Sequence, residues 1–119
     1  MLPKKNRIKL EKEIKSTYRA KFRDKKQLFQ TYLTESDDPN FKLLVVISKK
    51  VLRRANKRNR LRRKVQSIFS KLDYQKRLPN NLNCIIQVKD AKLLELDLTE
   101  IENQILPAVR YLFQKLNKN

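Results

Sequence analysis

The run Ile47-Ser48-Lys49-Lys50-Val51-Leu52-Arg53-Arg54-Ala55-Asn56-Lys57-Arg58-Asn59-Arg60-Leu61-Arg62-Arg63-Lys64-Val65-Gln66-Ser67-Ile68-Phe69-Ser70-Lys71-Leu72 carries two patterns at once. Leu61, Val65, Ile68, Phe69 and Leu72 fall at i, i+4, i+7, i+8 and i+11, the single apolar stripe of an α-helix, with Asn59, Arg60 and Arg63 on the far side. Between Lys49 and Lys64 there are ten Lys or Arg residues and no Asp or Glu, so that far side has no counter-charge of its own. A solvated basic tail or a nuclear-import address would carry the charge without the stripe. The stripe predicts an ordered helix docked on a core, holding its cations toward a polyanion.

Working outward, Leu43 to Ile47 is a continuous apolar run, which predicts a central strand covered on both faces and feeding directly into the basic helix. Before it, the polar run Thr34 to Asn40 closes on Asp38-Pro39-Asn40 as a turn, and Leu28 to Leu33 reads as a strand. Leu10, Ile14, Thr17 and Tyr18 repeat at helical spacing and predict a short helix over about residues 10–20. Residues 1–9 are basic, contain Pro3 and read as an extended arm. After the basic helix, Asp73 to Asn83 is a connection. In a chain with no glycine, its Asn80 and Asn81 are the candidates for left-handed backbone. Cys84 to Val88 is a further strand. Thr99 with Glu102 forms a capping box ahead of Ile101, Ile105, Val109, Leu112, Phe113 and Leu116, and Pro107 predicts a kink or a late start in that last helix. The order helix, strand, strand, helix, strand, helix predicts a two-layer α/β (α+β) sandwich, a small mixed sheet packed with helices, forming one domain over 1–119.

One hundred and nineteen residues suffice for a single modest core. Thirty basic against twelve acidic residues give a formal net charge of +18, so compaction works against self-repulsion and anions should assist folding. Cys84 is the only cysteine, which excludes an intrachain disulfide, and its apolar setting predicts a buried spectator. No run approaches a membrane span and no signal-peptide core follows Met1, so the expected location is cytoplasmic.

Cleaving a phosphodiester takes a positioned base and nucleophile, or metal ions held by carboxylates. This chain has no histidine, and its twelve carboxylates are scattered. Glu11 and Glu13 fall on different sides of a helix, Asp37 and Asp38 flank a turn, and Asp97, Glu100 and Glu102 are helix-start charges. No constellation for a self-sufficient nuclease is visible, so any associated cleavage must draw its catalytic groups from elsewhere.

Lys49-Lys50, then Arg53-Arg54-Ala55, then Lys57-Arg58-Asn59-Arg60-Leu61-Arg62-Arg63 closely resembles the signature of the protein subunit of bacterial ribonuclease P, in which an Arg-Asn-Arg helix follows a strand ending in Ser/Ala-Lys-Lys. Leu2-Pro3-Lys4-Lys5-Asn6-Arg7-Ile8 resembles the family's opening, and Asn83-Cys84-Ile85-Ile86-Gln87-Val88-Lys89 its later strand. The chain departs from the family in lacking a glycine after the paired lysines, in Ile14 where a Phe is common, and in Asn83 where an Asp is usual.

The resemblance implies a left-handed β-α-β crossover around the Arg-Asn-Arg helix, contrary to the usual hand. It also implies a function, assistance in removing the 5′ leader of precursor tRNA, with cleavage performed by a large RNA and the magnesium ions that this RNA mainly holds. The implied partners are ribonuclease P RNA and precursor tRNA, with no membrane or small-molecule substrate, no cofactor bound by the protein alone and no metal ligands assigned in it. Lys49, Lys50, Arg53, Arg54, Lys57, Arg58, Asn59, Arg60, Arg62 and Arg63 would face the RNA subunit, Arg pairing with phosphates and Asn59 donating and accepting hydrogen bonds. Ile14, Tyr18, Phe29 and Tyr32, with Arg7, match positions from which the family lines a cleft for the single-stranded leader. Aromatic platforms suit a leader of variable sequence, because every base has a stackable face. The same aromatics would serve equally as core residues. Two other functions remain open on the residues alone. A basic ribosomal or general RNA-binding protein would share the charge without needing the cleft, and a DNA-binding protein would set the basic helix in a major groove.

Overall fold

The helix expected from the apolar stripe is α2, Ala55–Tyr74, in which Leu61, Val65, Ile68, Phe69 and Leu72 are all buried. The structure, a computed structural model, describes residues 2–20 and 22–117. A short 3-10 turn at Lys4–Asn6 precedes α1 (Glu11–Tyr18), β1 (Arg23–Lys25), β2 (Phe29–Glu35) and β3 (Phe41–Val46). After α2 come β4 (Leu82–Val88), the single turn α3 (Lys92–Glu95) and α4 (Leu98–Asn117).

The four strands form one mixed sheet in the order β1-β2-β4-β3, with β2 antiparallel to β1 and β4, and β3 parallel to β4. Strand side chains alternate between faces, so register decides what each residue touches. Phe29, Thr31 and Leu33 of β2 share one face with Cys84, Ile86 and Val88 of β4 and Leu43 and Val45 of β3. That face carries the main core, closed by Leu61, Val65 and Phe69 of α2 and by Ile101, Ile105 and Leu112 of α4. Phe41 and Phe69 stack across it with ring centroids 5.7 Å apart. Cys84 lies fully inside, and burial pushes its thiol up to about 12, the behaviour of an inert core residue. To this two-layer body α1 adds a partial cover on the other face of the sheet, over β2 and β4.

Several local expectations change. β3 is the terminal strand rather than a central one, and its Leu44 and Val46 are only half-buried. Residues 47–54 form a loop before α2, so the strand does not run directly into the helix. The N-terminal arm, expected to be extended, carries the 3-10 turn at Lys4–Asn6 and is docked on the sheet. Arg7 bridges to Leu43, Ile8 N–H donates to Leu43 O (3.2 Å), and Asn6 Nδ2 donates to Phe41 O (2.7 Å), while Leu2, Asn6 and Ile8 are all buried. The arm thereby covers the outer edge of β3, which would otherwise expose unpaired backbone. The capping box lies two residues earlier than expected: Asp97 Oδ1 accepts from Glu100 N–H (2.8 Å) and Glu100 Oε1 from Asp97 N–H (3.1 Å), and α4 starts at Leu98 and runs on through Pro107. Asn81 does take left-handed backbone (φ 61°), together with Lys76 (φ 56°), which the composition did not single out.

Candidate nucleic-acid interface

A helix that begins with cations has an unneutralised positive dipole end, and α2 begins that way. Its N-cap is Arg54, whose side chain makes no capping bond, and no acid stands in its first turn; Asn56 Oδ1 accepts the Lys57 N–H (3.0 Å). The preceding loop is pinned by two buried side chains, Ile47 and Leu52, and by Ser48 O, which accepts the N–H groups of Val51 and Leu52 (both 3.1 Å). The turn thus presents Lys49 and Lys50 at its tip. Lys49, Lys50, Arg53, Arg54 and Lys57 line an open basin of about 780 Å³ at the start of the helix, floored by Val51 and Leu52.

The expected RNA-facing residues divide into two roles. Lys49, Lys50, Arg53, Arg54, Lys57, Asn59, Arg60 and Arg63 are exposed, whereas Arg58 and Arg62 are half-buried. Arg58 Nη1 donates to Leu52 O (2.9 Å) and Arg53 O (2.7 Å), tying the loop to the helix. Arg62 Nε reaches Val45 O (3.4 Å) and its Nη1 donates to Asn59 Oδ1 (2.9 Å), tying helix to strand and fixing the Asn59 amide. These two guanidiniums brace the scaffold from the flanks, and the free cations stand in front. Among the described residues, no ion pair involves any cation from Lys49 to Arg63.

On the opposite face of the sheet, Ile14, Tyr18 and Tyr32 meet in one small cluster with Ile8 and Ile85, flanked by the half-buried Leu44 and Val46. Tyr18 and Tyr32 pack edge to face with centroids 4.9 Å apart. Tyr32 is 8% exposed and donates its hydroxyl to Gln30 Oε1 (2.8 Å). Tyr18 remains half open, and burial followed by the nearby Tyr32 pushes its hydroxyl above the ordinary tyrosine value. Phe29 does not belong to this cluster. It is three residues from Tyr32, an odd step in a strand, so it points to the other face and lies fully buried in the main core. Arg7 stands on the docked arm with its Nε donating to Leu2 O (3.0 Å). Leu44 and Val46 are the lining residues that sequence reasoning missed, because an unbroken apolar run conceals which alternate positions reach solvent.

Charge fixes α1 over this cluster. Glu13 Oε2 lies 3.2 Å from Lys42 Nζ and accepts from Asn83 Nδ2 (3.2 Å), and Lys42 also pairs with Asp38 (3.1 Å). Burial pulls the Lys42 ammonium down, but its bonds to Asp38 and Glu13 outweigh that and hold its pKa above the ordinary value. An Asp in place of Asn83 would set a second carboxylate against Glu13, so the amide is the compatible partner for this α1. Among the described residues no group of three or more His, Cys, Asp or Glu comes together as a metal site. Glu13 and Asp38 converge from two elements, but the ammonium of Lys42 already occupies the point between them, so these residues do not fit a protein-held magnesium ion.

Fold and site together define a class: small mixed α/β domains with an acid-free cationic loop and helix on one side of the sheet and an aromatic cluster under the first helix on the other. The chain belongs to the Ribonuclease P protein family, whose sequence profile, described as Ribonuclease P, matches residues 2–116. The structure is similar to that of a Staphylococcus aureus RNase P protein mutant with defective mRNA degradation activity (TM-score 0.75, 19% identity, covering 89% of this chain and 86% of that one). It is likewise similar to the RNase P protein from Thermotoga maritima (TM-score 0.74, 18% identity, 88% and 96% covered). No curated protein matches the sequence. The family is that of a ribonuclease complex of tRNA processing, built on a partnership with RNase P RNA. Among the described residues, no helix is long and apolar enough to cross a membrane.

Proposed function

We propose that this chain is the protein subunit of a ribonuclease P, binding the catalytic RNA through the loop at 47–54 and the exposed face of α2, and the 5′ leader of precursor tRNA beside α1. The observation that carries the reading is the acid-free surface of Lys49, Lys50, Arg53, Arg54, Lys57, Arg60 and Arg63, braced by Arg58 and Arg62, in a chain of the Ribonuclease P family. Cations held without local partners bind a polyanion by releasing its counterions, and the positive dipole end of α2 adds to the attraction for a phosphate. Asn59, its Oδ1 engaged by Arg62, offers its amide N–H to RNA. Magnesium, held by the RNA, supplies the chemistry of cleavage. This protein's cations offset the repulsion between catalytic RNA and precursor, which magnesium otherwise screens. Tyr18, Ile14, Leu44 and Val46 give the leader an apolar and aromatic bed that takes any base.

The test is reconstitution. The chain freed of RNA should leave precursor tRNA intact, yet raise cleavage by the RNA subunit at low magnesium. Site-specific cleavage by the RNA-free protein would overturn the division of labour. A pull-down from cytosol that returns ribosomal RNA instead of one structured RNA of its own would favour a general RNA-binding protein.

A further inference from the structure

At the far end of α2, about 22 Å along the axis from Lys57 at 1.5 Å per residue, lies a cavity of about 380 Å³ that the functional reading does not use. The buried Phe41 and Phe69 pair lies beneath it, and the half-buried Leu78, Leu106 and Phe113 form its accessible wall. Its rim carries Lys76 and Arg77, from the connection after α2, and Arg110 of α4. No carboxylate lines it, and among the described residues none of the three rim cations is in an ion pair.

An apolar hollow ringed by unpaired cations fits a ligand with a flat or apolar body and anionic groups beside it. A second copy of this chain, at a formal +18, brings the wrong charge. A nucleotide in single-stranded RNA has both parts, a face that packs on aromatic and aliphatic side chains and two flanking phosphates for the rim. We propose that this cavity takes one unstacked base of single-stranded RNA, with Lys76, Arg77 and Arg110 on the adjacent phosphates. The site lies apart from the basic loop and from the α1 cluster, and it rests on the reading that RNA is the partner. Apart from the three rim cations, which are assigned to phosphates, the lining side chains carry no hydrogen-bonding groups, so the site discriminates little between bases and works as an anchor.

The full chain, labelled at Leu and Val methyls, is titrated with pentaadenylate, with an abasic pentamer of equal charge, and with octanoate. The expected result is that pentaadenylate shifts Leu78, Leu106 and Val109 through the ring current of a seated base, while the abasic pentamer leaves them in place. Lys76→Gln and Arg110→Gln, both at exposed positions, should each abolish much of that shift and lower the slope of log affinity against log salt by about one. The paired Arg60→Ala and Arg63→Ala changes should leave the shift intact. Equal shifts from the abasic pentamer would reduce the site to charge alone, and shifts from octanoate only would make it a site for small amphiphiles; either overturns the proposal. If pentaadenylate moves these methyls but the chain does not assist tRNA processing, the functional reading fails and the cavity stands. Assisted processing with unmoved methyls gives the reverse.

Discussion

Tyr18 and Tyr32 touch, yet they stand in different positions toward solvent, and that difference separates their expected effects. Tyr32 is buried with its hydroxyl committed to Gln30, so Tyr32→Leu should lower the melting temperature by stranding Gln30 and loosening the cluster. Tyr18 is half open, so Tyr18→Leu should leave folding nearly intact while weakening precursor tRNA by about 1–3 kcal/mol and sparing mature tRNA, which has no leader. The precursor-to-mature affinity ratio of the reconstituted enzyme decides it; an unchanged ratio for Tyr18→Leu removes the aromatic from leader binding. Lys76 gives a second case. It follows α2 as the left-handed residue of a Schellman turn, in which its own N–H donates to Asp73 O (3.0 Å) and Arg77 N–H to Leu72 O (2.8 Å). Glycine is free of the steric penalty at that backbone angle, so Lys76→Gly should stabilise the fold by about 0.5–1 kcal/mol in chemical denaturation. A loss of stability would mean that the lysine side chain contributes more than its backbone costs.

Elements show which signals a sequence carries plainly. α2 was legible because five apolar residues at helical spacing have no other consistent arrangement, and its cations were legible as a face because none has an acid nearby. β1 was not, since Arg23–Lys25 is three polar residues made into a strand only by pairing with β2. The docking of Asn6 was equally hidden, because its bond reaches Phe41, 35 residues on. Phe29 was misplaced for want of parity, which any strand supplies once its register is set. Within α2, the split between bracing and exposed arginines predicts two phenotypes. Arg60→Ala should weaken RNA-subunit binding with no change in thermal stability, whereas Arg58→Ala should reduce both, as Leu52 O and Arg53 O lose their donor. Equal stability in the two variants would show that the clasp is not needed. In the turn between β2 and β3, the Asn40 N–H bonded to Asp38 holds that carboxyl below its ordinary pKa, with Lys42 adding to the effect. A depressed carboxyl contributes stability above its unfolded pKa and loses it as pH falls through the folded one. The Asn40 amide should therefore titrate with a midpoint below the usual aspartate range, and a midpoint within that range would refute the bond.

At the scale of the whole molecule, the formal +18 charge is spread over a body with only five side-chain ion pairs among the described residues. Self-repulsion on that scale makes the free chain responsive to anions that settle at its surface. Sulfate or phosphate at millimolar concentration should raise the melting temperature more than chloride of equal ionic strength, because site binding stabilises by mass action whereas screening is common to all salts. Identical curves in the three salts would indicate that the charge is merely screened.

The strand order has a consequence in time. β2 and β3 are successive in the chain but are not neighbours in the sheet, since β4 lies between them and pairs with both. No local hairpin can therefore zip the two early strands together, and their assembly waits for residues 82–88. On a ribosome adding roughly 5–20 residues per second, the interval from the first residue of β2 to the first of β4 lasts about 3 to 10 seconds. Until then β2 can pair only with β1 and β3 lacks its sheet neighbour, and the whole cationic stretch from Lys49 to Lys64 is synthesised before the strand that completes the sheet.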